Sequence, residues 1–195
     1  MARPNEERRI VVGELRAVAG DDGAPTKIIG YAARFNSLSG DLGGFTERIA
    51  PGAFAKTILD GDVRALWNHD ANIVLGRNKS GTLRMTEDEQ GLHYECDAPD
   101  TQLVRDMVMS PISRGDVNQC SFGFRTISDR WDKVDGEWIR TLLEVELFDV
   151  SPVTYPAYES TTVAVRSLEQ AQAAIVPDES WKVGIMARKL ELDAI

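Results

Sequence analysis

The sequence has few of the residues from which proteins build disulfide frameworks and metal centres. It contains two cysteines and two histidines in 195 residues. Cys96 and Cys120 form no Cys-x-x-Cys pair and belong to no cluster with histidine. This pattern predicts neither a disulfide framework nor a zinc site, and we expect the protein to need no metal ion and no cofactor.

Basic residues are also scarce, because 22 Lys and Arg stand against 31 Asp and Glu, giving a formal net charge of −9. Binding to nucleic acid or to an anionic membrane requires clustered basic side chains, so we expect neither as a partner. No apolar run approaches the roughly 18 residues of a membrane-spanning helix, and the first residues lack the apolar core of a signal peptide. The sequence therefore predicts a soluble, cytoplasmic protein whose partners are basic or neutral proteins.

The chain is long enough for a single domain with a full core, since 43% of its residues are hydrophobic. Its composition changes after Arg166, where alanine, glutamine and glutamate become frequent. We expect a domain of residues 1–166 followed by a tail of residues 167–195. The tail could be helical, and its composition fits a segment that docks on a partner or is loosely attached.

Alternating apolar residues and turn signals predict many short strands and few helices. The strands are expected at 9–18, 27–35, 63–67, 82–86, 91–97, 118–131, 138–150 and 161–166. Apolar residues at helical spacing predict one helix near residues 51–60 and another over 100–115. These elements indicate a mainly antiparallel β domain, either closed or sandwich-like, with helices packed outside.

The two histidines have different contexts. His69 closes a strand whose Val63, Ala65 and Trp67 lie on its own face, and a loop follows. His93 shares the polar, solvent-facing side of its strand with acidic residues. His69 is therefore the preferred candidate for a general base, although a structural histidine at a strand end would look similar.

Ser121 is the candidate nucleophile that could act with His69. It shares one strand face with Gln119 and Gly123, while Cys120 and the two following phenylalanines point to the other face. A glycine beside the serine permits close approach of a substrate. Cys120 is a rival nucleophile, but two adjacent strand residues cannot both face the same histidine.

A serine and a histidine work best when a third polar group fixes the tautomer of the histidine. In the strand 140–150, the alternation of Leu143, Val145 and Leu147 places Glu144 and Glu146 together on the opposite face. Asp149 falls with the apolar set. Glu144 is the first choice to orient His69, and Glu146 and Asp149 are the reserves.

With these residues assembled, the chain resembles the prohead proteases of tailed bacteriophages, which are serine proteases of capsid maturation. The resemblance extends over about residues 10 to 166 and rests on sequence blocks in the family's order. They are Gly30-Tyr-Ala-Ala-Arg-Phe, Phe45-Thr-Glu-Arg-Ile-Ala-Pro-Gly-Ala-Phe, Leu66-Trp-Asn-His-Asp, Leu75-Gly-Arg, Ser80-Gly-Thr-Leu, Arg114-Gly-Asp, Ser121-Phe-Gly-Phe and Leu147-Phe-Asp-Val-Ser-Pro-Val-Thr-Tyr-Pro-Ala-Tyr.

The resemblance implies a fold and an activity. The family is related in fold to the herpesvirus assembly proteases, so we expect a closed antiparallel β-barrel with flanking helices. It also implies that His69 is the general base and Ser121 the nucleophile of a serine endopeptidase. The third member is a second histidine in the herpesvirus relatives, but this sequence has no histidine after His93, which leaves an acid such as Glu144.

The resemblance further implies partners and a place of action. The expected substrates are the scaffold protein, or a scaffold-like extension of the major capsid protein, and the protease itself, whose tail would be a processed or targeting segment. Self-association is also expected. The reaction would occur inside the assembling prohead, in the cytoplasm of the bacterial host. The alternative is a catalytically inactive capsid-assembly or scaffold component with the same fold.

Overall fold

The computed structural model describes residues 6–12, 15–18, 26–155 and 162–175. This part of the chain is mainly β. Its strands are β1 (Glu7–Val12), β2 (Arg16–Val18), β3 (Lys27–Arg34), β4 (Phe45–Ile49), β5 (Arg64–Trp67), β6 (Asp70–Arg77), β7 (Leu83–Glu87), β8 (Gly91–Asp97), β9 (Gln119–Val134) and β10 (Glu137–Val153). Its α-helices are α1 (Ala55–Asp60), α2 (Gln102–Val104), α3 (Ser110–Arg114) and α4 (Thr162–Ile175), with a π-helical turn at Arg105–Met109 between α2 and α3.

The strands form two open sheets, so the expected closed barrel is wrong. The larger sheet has the order β1-β9-β10-β5-β6, and β4 also pairs with β10; the smaller sheet has the order β2-β3-β8-β7. The sheets are not purely antiparallel either, because β4 and β5 both run parallel to β10. Alternation along a strand shows which face is buried but not which edges pair, so the same pattern fits a closed barrel and two packed sheets.

The two sheets share one hydrophobic core. Phe122 and Phe124 of β9 are fully buried in it, with ring centroids 5.0 Å apart, and Tyr94 of β8 packs into the same cluster from the smaller sheet. Cys120 also faces this core, which confirms the alternation predicted for β9. Ser121 therefore lies on the outer face of the larger sheet, directed away from the core.

Irregularities in β10 break the alternation on which the sequence analysis relied. The register against β9 shifts between Leu142 and Val145, and again between Leu147 and Asp149. Leu143, predicted to face the core, is 39% exposed, while Leu142 and Val150 are fully buried. The second shift places Asp149 opposite Gly123, on the outer face, whereas strict alternation from Leu147 would have put it in the core.

A cluster of buried charges fastens β1 and β4 to β10 on the inner face of the larger sheet. Arg140 contacts Glu7 at 2.8 Å and Glu47 at 3.1 Å, and Arg9 contacts the same two carboxylates at 3.0 and 2.7 Å. Burial alone raises the pKa of Glu7, but Arg140 and Arg9 outweigh it, so this pKa lies below its ordinary value. The cluster holds β1 in a register that places Ile10 opposite Ser121.

Helix α4 packs on the hairpin of β9 and β10. Its Ala164 and Leu168 join a second apolar cluster with Leu42, Phe45 and Trp138. The strand predicted at 161–166 is wrong within the described residues, because this segment belongs to α4 from Thr162 onward. The helix crosses the domain boundary predicted at residue 166. The tail after residue 175 lies outside the described residues, and the division into 1–166 and 167–195 stays a prediction.

None of the helices that the structure describes is long and apolar enough to cross a membrane.

Candidate active site

His69 lies in a tight turn and not, as the sequence pattern predicts, at the end of a strand. Trp67 of β5 pairs with Asp70 of β6, which leaves Asn68 and His69 as the whole turn. Their φ angles are 52° and 58°. Two consecutive positive φ values are typical of a type I′ hairpin turn. A histidine in this conformation costs about 1 to 3 kcal/mol, which surrounding contacts must offset.

Asn68 ties this turn to the end of β10. Its backbone N–H donates to the carbonyl oxygen of Pro152 at 3.0 Å. Its side-chain Oδ1 accepts hydrogen bonds from the N–H and the hydroxyl of Thr154, at 2.9 and 3.2 Å. The turn that carries His69 is thereby fixed to the segment that follows Asp149.

The imidazole of His69 connects a serine to an acid. Its Nε2 lies 2.8 Å from Ser121 Oγ, and its Nδ1 lies 2.6 Å from Asp149 Oδ1. A carboxylate only accepts hydrogen bonds, so Nδ1 carries the proton and Nε2 is free to accept the hydroxyl proton of Ser121. The result is an unbroken hydrogen-bond chain from hydroxyl to carboxylate, which is the geometry that activates a serine for acyl transfer.

All three side chains are shielded from water. The side chains of His69 and Asp149 are each 8% exposed, and Ser121 is 3% exposed. Electrostatic interactions are stronger in such a site than in bulk water, so each donor and acceptor in the chain has a larger effect on its neighbour.

Gly123 makes room for the acid. It pairs with Asp149 across β9 and β10, and a Cβ atom at residue 123 would lie 2.5 Å from Asp149 Oδ2. Any other residue here would displace the carboxylate from its position beside His69. The position of this glycine beside Ser121 in the sequence predicts a role in substrate access, whereas in the structure it is the Asp149 carboxylate that a side chain here would meet first.

The acid that contacts His69 is Asp149, and the structure does not bring Glu144 to it. Glu144 forms an ion pair with Lys56 of α1 at 3.1 Å, and 35% of its side chain is exposed. The irregularities in β10 explain the difference. They move Asp149 from the core face to the outer face, which no strict alternation of residues predicts.

The remaining charged candidates also lie in other surroundings. Glu146 forms an ion pair with Arg125, and both side chains are nearly half exposed. Arg140 belongs to the buried ionic cluster on the inner face.

Cys120 and His93 are not placed for catalysis with these residues. Cys120 faces the core, where its Sγ lies 3.6 Å from the hydroxyl of Tyr94, and burial raises the pKa of its thiol to about 12. Such a thiol carries almost no thiolate near neutral pH. His93 belongs to β8 in the smaller sheet, where its ring meets the edge of Tyr31 at a centroid distance of 5.3 Å.

Ser151 is a further residue of the site that is not among the candidates predicted from the sequence; it is fully buried and donates a hydrogen bond to Asp149 Oδ1 at 2.6 Å. The part played by Asn68 is likewise not predicted. Two signals in the sequence bear on them. Ser151 is two residues after Asp149 and so shares its strand face. Apart from glycine, asparagine is the residue that best tolerates a positive φ angle.

A cleft of about 400 Å³ opens beside His69 and Asp149. Charged and apolar side chains both line it, among them Glu6, Arg8, Arg64, Leu66, Val74 and Phe148. Glu6 and Arg8 are joined by hydrogen bonds of 3.0 and 3.1 Å. The mixed lining of the cleft is suited to an amphipathic peptide segment.

Among the residues that the structure describes, no three His, Cys, Asp or Glu side chains are grouped to hold a metal ion.

A serine, a histidine and an aspartate joined in this way define the geometry of a serine hydrolase. A sequence model of the caudovirus prohead serine proteases matches residues 14–174. The chain therefore belongs to the caudovirus prohead serine protease family, and it is a serine protease of phage capsid maturation. This confirms the resemblance drawn from the sequence blocks.

Among solved structures, the chain is similar to the capsid assembly protease gp21 of bacteriophage T4, with a TM-score of 0.46 and 12% sequence identity. The similarity covers 78% of this chain and 100% of that protein's chain. No curated protein sequence matches the chain.

Proposed function

We propose that Ser121 is the nucleophile, His69 the general base and Asp149 the acid of this endopeptidase. The observation that carries the proposal is the hydrogen-bond chain from Ser121 Oγ through His69 to Asp149 Oδ1, with distances of 2.8 and 2.6 Å. No other histidine in the described residues contacts a serine hydroxyl in this way. The cleft beside His69 and Asp149 offers room for part of a peptide.

The reaction is acyl transfer in two stages. Ser121 Oγ attacks the carbonyl carbon of a peptide bond while His69 Nε2 takes the hydroxyl proton. The imidazolium is stabilised by Asp149 through Nδ1–H, and Nε2 then gives its proton to the leaving amine as the carbon–nitrogen bond breaks. His69 Nε2 then takes a proton from a water molecule, whose oxygen attacks the acyl-enzyme ester. As the bond from the acyl carbon to Ser121 Oγ breaks, Nε2 returns the proton to Oγ, which releases the second product and the free serine.

The proposed substrates are the scaffold protein, or a scaffold-like extension of the major capsid protein, together with the protease chain itself. Family membership supports substrates of this kind. The proposed place of cleavage is the interior of the assembling prohead in the bacterial cytoplasm. Self-cleavage would act on the tail of residues 167–195, and self-association of the protease would accompany packing inside the shell.

Co-expression with the major capsid protein of the same phage tests this function. Mass analysis of both proteins is expected to show cleavage by the natural protein and by Cys120→Ala, and none by Ser121→Ala. Cys120→Ala is the matched control, because it changes the neighbouring residue on the core face. Cleavage by Ser121→Ala would reject the assigned nucleophile. No cleavage by the natural protein would favour the inactive capsid-assembly component.

A further inference from the structure

We propose that Ser151 is a positioning residue that holds the carboxylate of Asp149 in the orientation His69 requires. This inference rests on the proposed function of Ser121, His69 and Asp149. Ser151 is fully buried, and its only described side-chain hydrogen bond is the 2.6 Å contact with Asp149 Oδ1. The hydroxyl is thus committed to the acid.

Both donors converge on one oxygen atom of Asp149. Oδ1 accepts from His69 Nδ1 and from Ser151 Oγ, each at 2.6 Å, while Oδ2 occupies the space beside Gly123. The torsion that turns a carboxylate about its Cβ–Cγ bond is broad, so one hydrogen bond defines it poorly. The second donor fixes which oxygen faces the imidazole and in which plane, because hydrogen bonds to an ionised group are short and strong.

The donor hydroxyl of Ser151 comes from the same strand as Asp149. Ser151 follows Asp149 by two residues on β10, so both side chains share the outer face, and it pairs with Ser121 across β9 and β10. The pairing across β9 and β10 therefore places Gly123 beside Asp149 and Ser121 beside Ser151. The space left by the glycine and the donor from the serine restrict the carboxylate from two directions.

Ser151 is not a second nucleophile. Its hydroxyl donates to a carboxylate, and the basic nitrogen Nε2 of His69 is engaged by Ser121. A hydroxyl without a base remains a weak nucleophile near neutral pH. The effect of Ser151 on the reaction therefore passes through Asp149 and His69.

The test compares Ser151→Ala with Thr57→Val. Thr57 is also a buried hydroxyl next to β10, and it donates to the carbonyl oxygen of Val145 at 2.7 Å, remote from His69 in the hydrogen-bond network. The Thr57 hydroxyl also accepts from the N–H of Leu147 at 3.2 Å, so Thr57→Val should reduce stability at least as much as Ser151→Ala. Only Ser151→Ala should change the chemistry.

Two readouts are used on the full chain. The first is the second-order rate constant for labelling of Ser121 by a fluorophosphonate. The second is the proton NMR resonance of His69 Nδ1–H, expected at unusually low field because of its short bond to Asp149. Ser151→Ala should slow labelling by about 10- to 100-fold and shift or broaden the resonance, whereas Thr57→Val should leave both unchanged.

Labelling of Ser151→Ala at the natural rate, with the resonance in place, would overturn the role of Ser151 and leave the proposed function standing. An equal loss in Thr57→Val would also overturn it, because the effect would then be one of stability. Failure of the natural protein to react at Ser121 would instead remove the proposed function, and this inference with it.

Discussion

The larger sheet carries a buried polar cluster on each face, and the two are built in opposite ways. On the inner face, two arginines and two glutamates pair with one another over 2.7 to 3.1 Å. On the outer face, one carboxylate, that of Asp149, accepts from an imidazole and a hydroxyl, and the imidazole in turn meets Ser121. The inner cluster contains full charges of both signs, and Asp129 also contacts Arg140 at 2.7 Å, whereas the outer cluster contains a single acid and neutral donors.

The two clusters differ in this way because the inner one stabilises the fold, whereas the outer one can take part in a reaction. In the inner cluster every carboxylate has a guanidinium partner, so moving a proton would leave an unpaired buried charge. In the outer cluster the imidazole can gain a proton on Nε2 and become the partner of Asp149. The same strand, β10, contributes Arg140 to one face and Asp149 to the other.

The largest expected effect is on the outer face, in Asp149→Asn. The amide can donate to Nδ1 and hold the wrong tautomer of His69, so we expect the rate of fluorophosphonate labelling to fall by about 10⁴-fold. Glu144→Gln is the matched control on the same strand and should label at the natural rate. Equal loss in both variants, or loss only in Glu144→Gln, would contradict the assignment of the acid.

On the inner face, Arg140→Met should unfold the protein more readily without disabling the folded site. Glu7 and Glu47 would each lose a buried partner, and breaking such a pair costs about 3 to 5 kcal/mol. Urea unfolding measures the loss, and labelling of the folded fraction at Ser121 provides the comparison. An unchanged free energy of unfolding would contradict the structural role given to the cluster.

A smaller effect is expected at Asn68, which connects the turn of His69 to Thr154. Asn68→Gly keeps the positive φ accessible but removes the acceptor, at about 1 kcal/mol. Asn68→Ala removes the acceptor and also strains the turn, at about 1 kcal/mol more. Labelling should therefore slow by about fivefold in Asn68→Gly and further in Asn68→Ala. If Asn68→Ala reacted like the natural protein, the turn would not depend on this residue.

The inner cluster should also weaken in acid. Because the pKa of Glu7 is lowered in the folded state, its contribution is complete above its ordinary value of 4.5 and is lost as the pH falls below that value through the folded pKa. The unfolded chain binds more protons in this range. Urea unfolding at a series of pH values should show a shallower decline in Glu7→Gln than in the natural protein, and identical slopes would argue against this linkage.

The sequence predicted the serine and the histidine of the site better than it predicted how the strands pair. Alternation along β9 correctly separates Ser121 from Cys120, because this strand keeps an uninterrupted register over these residues. Alternation along β10 misassigns Asp149, because the register shifts between Leu147 and Asp149. A shift of this kind depends on how two strands fit together and leaves no mark in the hydrophobic pattern of one strand.

The closed barrel is the larger error, and its cause is similar. Local pattern specifies buried faces, but the pairing of edges depends on contacts between residues distant in the chain. His69 illustrates the same limit on a smaller scale. Its turn conformation is held by Asn68, Pro152 and Thr154, and the last two are remote from it in the sequence.

The most direct test of the account is the position at which a fluorophosphonate attaches to the natural protein. After reaction, proteolysis and mass spectrometry should find a single phosphonyl group on Ser121, and none on Ser151 or Cys120. Ser121→Ala should carry no label. A label on another residue, or an unlabelled Ser121 in a protein that cleaves its capsid protein, would contradict the assignment of Ser121, His69 and Asp149.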